Sequence, residues 1–107
     1  MSARKFNIHK PGSYGNVTVQ FDITDDGERC IKVLLHGNLI MCIMGTSRTY
    51  IMQDCGWATL TTLRTLNTAL KQFNNNVWVN QVKGHWYYND GRTNESVLFQ
   101  NGKEYRF

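Results

Sequence analysis

A chain of 107 residues, 41% hydrophobic and with one proline, is one globular domain and not a disordered segment. Its net charge of +4 is mildly basic, and no apolar run approaches the roughly 20 residues that cross a bilayer. The start, Met1 to Lys5, has no apolar signal region.

In chain order, residues 1–16 carry Lys5, Lys10, Pro11, Gly12 and Gly15 and are expected to form a loosely held arm before a single domain, 17–107. Val17, Val19, Phe21 and Ile23 then alternate with Thr18, Gln20, Asp22 and Thr24, the period of a half-buried strand. Asp25-Asp26-Gly27-Glu28 supplies a turn. A second strand is predicted from Cys30 to His36, a tight turn at Gly37-Asn38, and an apolar strand covered on both faces from Leu39 to Met44. Gly45 to Arg48 turns the chain into a fourth strand, Thr49 to Asp54, which completes a meander.

Gly56 marks the next turn, and Trp57 is expected to anchor it in the core. The one helix lies between Thr59 and Phe73, where Leu63, Leu66, Leu70 and Phe73 form an apolar stripe. Thr59 is placed as N-cap, and Asn74-Asn75-Asn76 stops the helix, Asn tolerating a left-handed C-terminal conformation. Short strands follow at Val77 to Val82, His85 to Asn89, Ser96 to Gln100 and Lys103 to Phe107, with turns at Lys83-Gly84 and Asn101-Gly102. Asn101-Gly102 is the strongest hairpin signal of the chain. The fold class predicted is α+β: a mainly antiparallel sheet, a four-stranded meander and then hairpins, packed on one α-helix.

Residues that could carry chemistry are few. His9, His36 and His85 are far apart, and none has a Cys, Asp or Glu at metal-ligand spacing. Cys30, Cys42 and Cys55 contain no C-x-x-C pair and sit in or beside apolar runs, where buried free thiols in a reducing compartment are expected. Half of the eight carboxylates fall in the turn around Asp22, Asp25, Asp26 and Glu28. No phosphate-binding glycine loop is present. The chain is therefore read as non-catalytic, with no metal and no cofactor.

Charge distribution gives a lead. From Arg29 to Asn89 six cations face only Asp54, so the body is positive and one loop negative. Opposite the apolar stripe, Thr61, Arg64, Thr68 and Lys71 repeat at helical spacing and put hydroxyls and cations on an outward face. Such groups donate to phosphate oxygens. With Lys83, and with Tyr87 as the exposed ring among Trp57, Trp78, Trp86, Tyr87 and Tyr88, they make a candidate nucleic-acid-binding set. Trp86 and Tyr88 share one strand face, and Trp86 is expected to be buried.

Several of these residues also carry a family likeness. The run Gly56-Trp57-x-Thr59-x-Thr61-Thr62, with Leu66-Asn67 after it, resembles a pattern in short, uncharacterised proteins of tailed bacteriophages. Those proteins share an H-G-N turn, matched by His36-Gly37-Asn38, and a downstream set matched by Gln81, Gly84, Trp86 and Tyr87. Two positions depart from the pattern: Leu60 stands where proline is frequent, and Thr65 where a basic residue is usual. Arg64 lies one position earlier, about 100° round the helix. The resemblance implies a phage origin, hence the host cytoplasm or the virion, and a shared fold, but no activity. Two functions are carried forward. One is an accessory protein binding nucleic acid through the helix face and nearby aromatics. The other is a module binding a protein or small ligand, such as an inhibitor of a host or defence factor, a small structural component or a homo-oligomer.

Overall fold

The structure, a computed structural model, describes residues 6–56 and 58–107. It is α+β as predicted: β1 (Gly12–Tyr14), β2 (Val17–Ile23), β3 (Arg29–Leu35), β4 (Asn38–Met44), β5 (Thr49–Met52), α1 (Leu60–Phe73), β6 (Val77–Val82), β7 (His85–Asp90), β8 (Glu95–Leu98) and β9 (Glu104–Arg106). Two antiparallel sheets result, β1-β2-β3-β4-β5-β9 and β6-β7-β8. The predicted meander is the centre of the larger one.

Period-two patterning sets the inward face of that sheet. Val17 and Val19 lie opposite Leu35 and Val33, Val33 lies opposite Met41, and Met41 opposite Met52. All are buried against α1, whose Leu63, Leu66, Ala69 and Leu70 complete the core. The other face of β4 is only half-covered at Leu39, Cys42 and Met44, so this strand is not sealed on both sides as its apolar run suggested.

Three local expectations are corrected. The tight turn between β3 and β4 is His36-Gly37, with φ of 52° and 80°, one residue earlier than expected. Two consecutive positive φ values are needed there, and Asn38 already begins β4. The α1 terminus at Asn74 has φ −152° and is not left-handed, although its N–H does donate to the Leu70 carbonyl. Finally, Asn101-Gly102 makes no hairpin. Its Asn101 side chain accepts from the Asp54 N–H at 2.7 Å and its Gly102 N–H donates to the Met52 carbonyl at 3.0 Å. The turn thereby carries the chain from the small sheet to the large one, where β9 pairs with β5.

The expected loose arm is also different where it is described. Phe6 and Ile8 are buried in the core, and Gly12–Tyr14 pairs with β2. The reason is an amide on the helix. Gln72 accepts from the Ile8 N–H at 2.8 Å and donates to the Phe6 carbonyl at 3.0 Å, completing that segment's hydrogen bonds as a neighbouring strand would.

Aromatic rings join the two sheets. Tyr88 of β7 stacks on Tyr105 of β9 with centroids 4.1 Å apart, Tyr105 lies 5.5 Å from Tyr50 of β5, and Tyr50 meets Phe73 of α1 edge-on at 5.1 Å. Tyr50 and Tyr88 also share a hydrogen bond through their hydroxyls. Burial pushes the phenols of Tyr50, Tyr88 and Tyr105 above their ordinary value, most strongly at Tyr50, where the Tyr88 hydroxyl adds to the effect.

Candidate nucleic-acid interface

The site begins at the start of α1. Cys55 and Gly56 take φ of 55° and 78° and turn the chain; Trp57 and its expected core position lie outside the described residues. Thr59 caps the helix, its hydroxyl oxygen accepting from the Thr62 N–H at 3.3 Å and bonding the Thr62 hydroxyl at 3.1 Å. Most of the remaining threonine hydroxyls are used by the helix itself. Thr65 donates to the Thr61 carbonyl at 2.7 Å, and Thr68 to the Arg64 carbonyl at 2.9 Å. This back-bonding lets a poor helix former sit in a helix. It also removes Thr68 from the set of free phosphate donors. Thr61 remains exposed and offers its hydroxyl outward.

Asn67, inside the L-N pair of the sequence pattern, is the key placement and was not singled out as a working residue. Its amide donates to the Val79 carbonyl and accepts from the Val79 N–H, both at 2.8 Å. It thus pairs the outward main-chain groups of Val79 on the β6 edge and ties the small sheet to α1. Arg64 and Lys71, three residues before and four after, fall within about 60° of Asn67 on an ideal helix. Both are exposed, and neither forms an ion pair among the described residues. The cations therefore flank the line where helix meets small sheet, whereas Thr61 and Thr68 lie further round, toward the Gln72 side.

The small sheet turns the other half of the site outward. Val77 and Val79 of β6, and Trp86 and Tyr88 of β7, point into the core. Register then places Trp78, Asn80 and Val82, His85, Tyr87 and Asn89, and Ser96 and Leu98 on the opposite face. Trp78 is 45% exposed there and Leu98 56%. Tyr87 is half-buried and sits directly opposite Leu98 and one diagonal step from Trp78. Gly91 leaves room for the indole: a Cβ there would meet Trp78 Cζ3 at 3.4 Å and the Asn76 carbonyl at 3.1 Å. Asn89, opposite Trp78, donates to Oδ1 of Asn80, opposite Tyr87, at 3.0 Å. Lys83 and Gly84, with φ of 51° and 81°, make the predicted tight turn and hold the Lys83 cation exposed at the end of this face.

Of the six residues expected to form the site, Arg64 and Lys71 are thus brought beside the small sheet, and Tyr87 and Lys83 belong to that sheet and its turn. Trp78 is the ring that sequence reasoning left unplaced. Its signal was the alternation Val77-Trp78-Val79, which sends the indole to the face opposite two core valines.

Elsewhere, no cluster of three or more metal-ligating side chains occurs among the described residues. The free thiol of Cys42 is pushed up to about 11 by burial and by its neighbour Cys30, so it stays protonated at neutral pH and is a poor nucleophile. No helix among the described residues is long and apolar enough to cross a membrane.

The chain matches, over residues 3–106, the family described as Kyanoviridae Gp96 protein, and it belongs to that bacteriophage family. No curated protein and no solved structure shows a significant match to it.

Proposed function

Starting from a chain of the Kyanoviridae Gp96 family, we propose a non-catalytic accessory protein of a tailed phage that binds single-stranded nucleic acid in the host cytoplasm. The observation that supports this most is the outward pair Trp78 and Tyr87, set beside the exposed cations Arg64 and Lys71 along the line that Asn67 ties down. Rings on an open sheet face stack on bases without regard to sequence, and cations alongside neutralise the backbone.

The test is the anisotropy of a labelled oligodeoxythymidine of about 16 nucleotides across a salt series. Contacts from Arg64, Lys71 and Lys83 should give a log–log salt slope of about −2, at ~0.7 per phosphate. Trp78→Ala should weaken binding about tenfold, since a stacked base contributes ~1–3 kcal/mol. Arg64→Ala with Lys71→Ala should flatten the slope. Binding that is absent, or unchanged in these variants, counts against the reading.

One feature favours a second reading. Val82, Leu98 and Trp78 make the same face apolar, as a protein interface would. A homo-oligomer or a stoichiometric protein partner that survives high salt, with no oligonucleotide binding, would select it.

A further inference from the structure

The large sheet is not closed at its first edge. β1 pairs with β2 only from Val17 to Val19, so Gln20–Ile23 has no neighbour on its outer side among the described residues. The cause is local. Pro11, just before Gly12, has no N–H to give the ladder, and the Lys10 N–H turns back to the Asn7 carbonyl at 3.1 Å. The chain leaves the edge there to bury Ile8 and Phe6.

Which main-chain groups are left open follows from the ladder. The Thr24 N–H donates to the Glu28 carbonyl and the His36 N–H to the Asn16 carbonyl, both at 2.8 Å. These bonds bracket the β2–β3 pair, so even-numbered residues bond β3 and odd-numbered ones face outward. Val17 and Val19 meet β1; Phe21 and Ile23 meet no strand among the described residues. The Ile23 N–H is taken by Asp22 Oδ1 at 2.8 Å. The N–H and C=O of Phe21 and the C=O of Ile23 remain to pair with another chain.

Beside this edge the inward face of the sheet runs past the core. Phe21, Ile31 and Ile43 form one row across it, and with Ile23, Arg29 and Gly45 they line a groove of about 450 Å³. Phe21 is 52% exposed and Ile23 65%. Around it stand Asp22, Asp25, Asp26 and Glu28 against the cations Arg29 and Lys32. The Lys32 ammonium, 2.9 Å away, holds the Asp22 carboxyl below its usual range, and the Thr24 hydroxyl does the same for Asp26. The corner is thus negative on a protein of net charge +4.

The geometry points to a peptide-docking site: an extended segment of a partner protein, alternately apolar and flanked by Lys or Arg, adds as a strand to Phe21–Ile23 and drops its apolar side chains into the groove. An unpaired edge gives main-chain affinity and the adjoining groove gives selectivity, as in other strand-addition modes. The carboxylates exclude nucleic acid and favour a basic flank. A second copy fits poorly: pairing Phe21 with its counterpart would place Ile23 against Val19, where β1 already sits, and pairing Phe21 with Ile23 would set Asp22 directly opposite Asp22.

The experiment titrates the isotopically labelled full chain with an acetylated, amidated peptide of alternating valine and threonine, with two lysines at each end. Amide shifts should be confined to residues 20–31 and 43–45. Phe21→Pro, which deletes an outward N–H and leaves the β2–β3 bonds intact, should weaken binding tenfold or more. Should that variant not fold, a peptide N-methylated at the residues facing the edge should show the same loss on the unaltered protein. A glutamate-flanked peptide should also bind at least tenfold more weakly. Shifts elsewhere, no binding, equal binding of the N-methylated or the acidic peptide, or concentration-dependent self-association through the same residues would each overturn the proposal.

Discussion

Two surfaces of this protein expose apolar side chains, and they differ in shape and in field. The outward face of the small sheet presents Trp78, Tyr87 and Leu98, with Val79 on its β6 edge paired by Asn67 and with Arg64 and Lys71 alongside. The corner at Phe21 and Ile23 is concave, keeps main-chain groups open, and stands among carboxylates. The difference shows that exposed apolar area alone does not name a partner. The sign of the surrounding charge does, by selecting anionic or cationic ligands, and open main-chain groups beside a groove add strand addition as a mode of binding.

The largest effect on this comparison is expected at high pH, because both surfaces hang on the aromatic joint. Tyr50, Tyr88 and Tyr105 have folded-state values raised above the ordinary 10.0, so their stabilisation is complete below that pH. Above it the unfolded chain loses phenolic protons first, and stability falls by about 1.4 kcal/mol per pH unit for each phenol that stays protonated in the fold. Thermal melts followed by circular dichroism should show Tm dropping between pH 10 and 12 for the whole molecule, in one transition.

Asn67→Ala should separate the two surfaces. It strands the Val79 N–H and C=O in a half-buried place, at about 1–3 kcal/mol for each unpaired group. Hydrogen exchange should accelerate across β6 to β8 while Val17 to Val19 stays protected. Acceleration spread evenly over both sheets would mean that they open as one unit and that the comparison has no independent halves.

Thr59→Ala should have the smallest effect, about 1 kcal/mol from the lost cap, seen in urea denaturation as a lower midpoint with an unchanged slope. It also leaves the Thr62 hydroxyl, which is buried, without its partner. A larger loss would show that the helix start holds the β6 edge in place as well as capping itself.

Much of the fold was legible because period-two and helical spacing report burial directly. Val17 to Ile23, Leu63 to Phe73 and Val77 to Val82 were placed by pattern alone. What failed was whatever depended on a partner distant in sequence. Phe6 and Ile8 look like an arm until the Gln72 amide reaches them, 66 and 64 residues away. Asn101-Gly102 has the chemistry of a hairpin, yet the ladder available to it was the edge of β5. The helix cations were read correctly as outward, but that they border the small sheet rests on Asn67, whose side chain imitates a strand. No local pattern announces such a contact.

The pairing of β9 with β5 has a kinetic consequence. Arg48 and Phe107, which meet across it through the Arg48 Nε and the Phe107 carbonyl, are 59 residues apart. That closure follows the helix and the whole small sheet in the chain, so the loop to be closed is long and its entropy must be lost before its contacts form. Until it forms, Thr49-Tyr50-Ile51-Met52 is a bare, β-branched and aromatic edge. The protein is therefore expected to refold slowly for its size and to be most prone to aggregation early in refolding, with the yield falling as concentration rises.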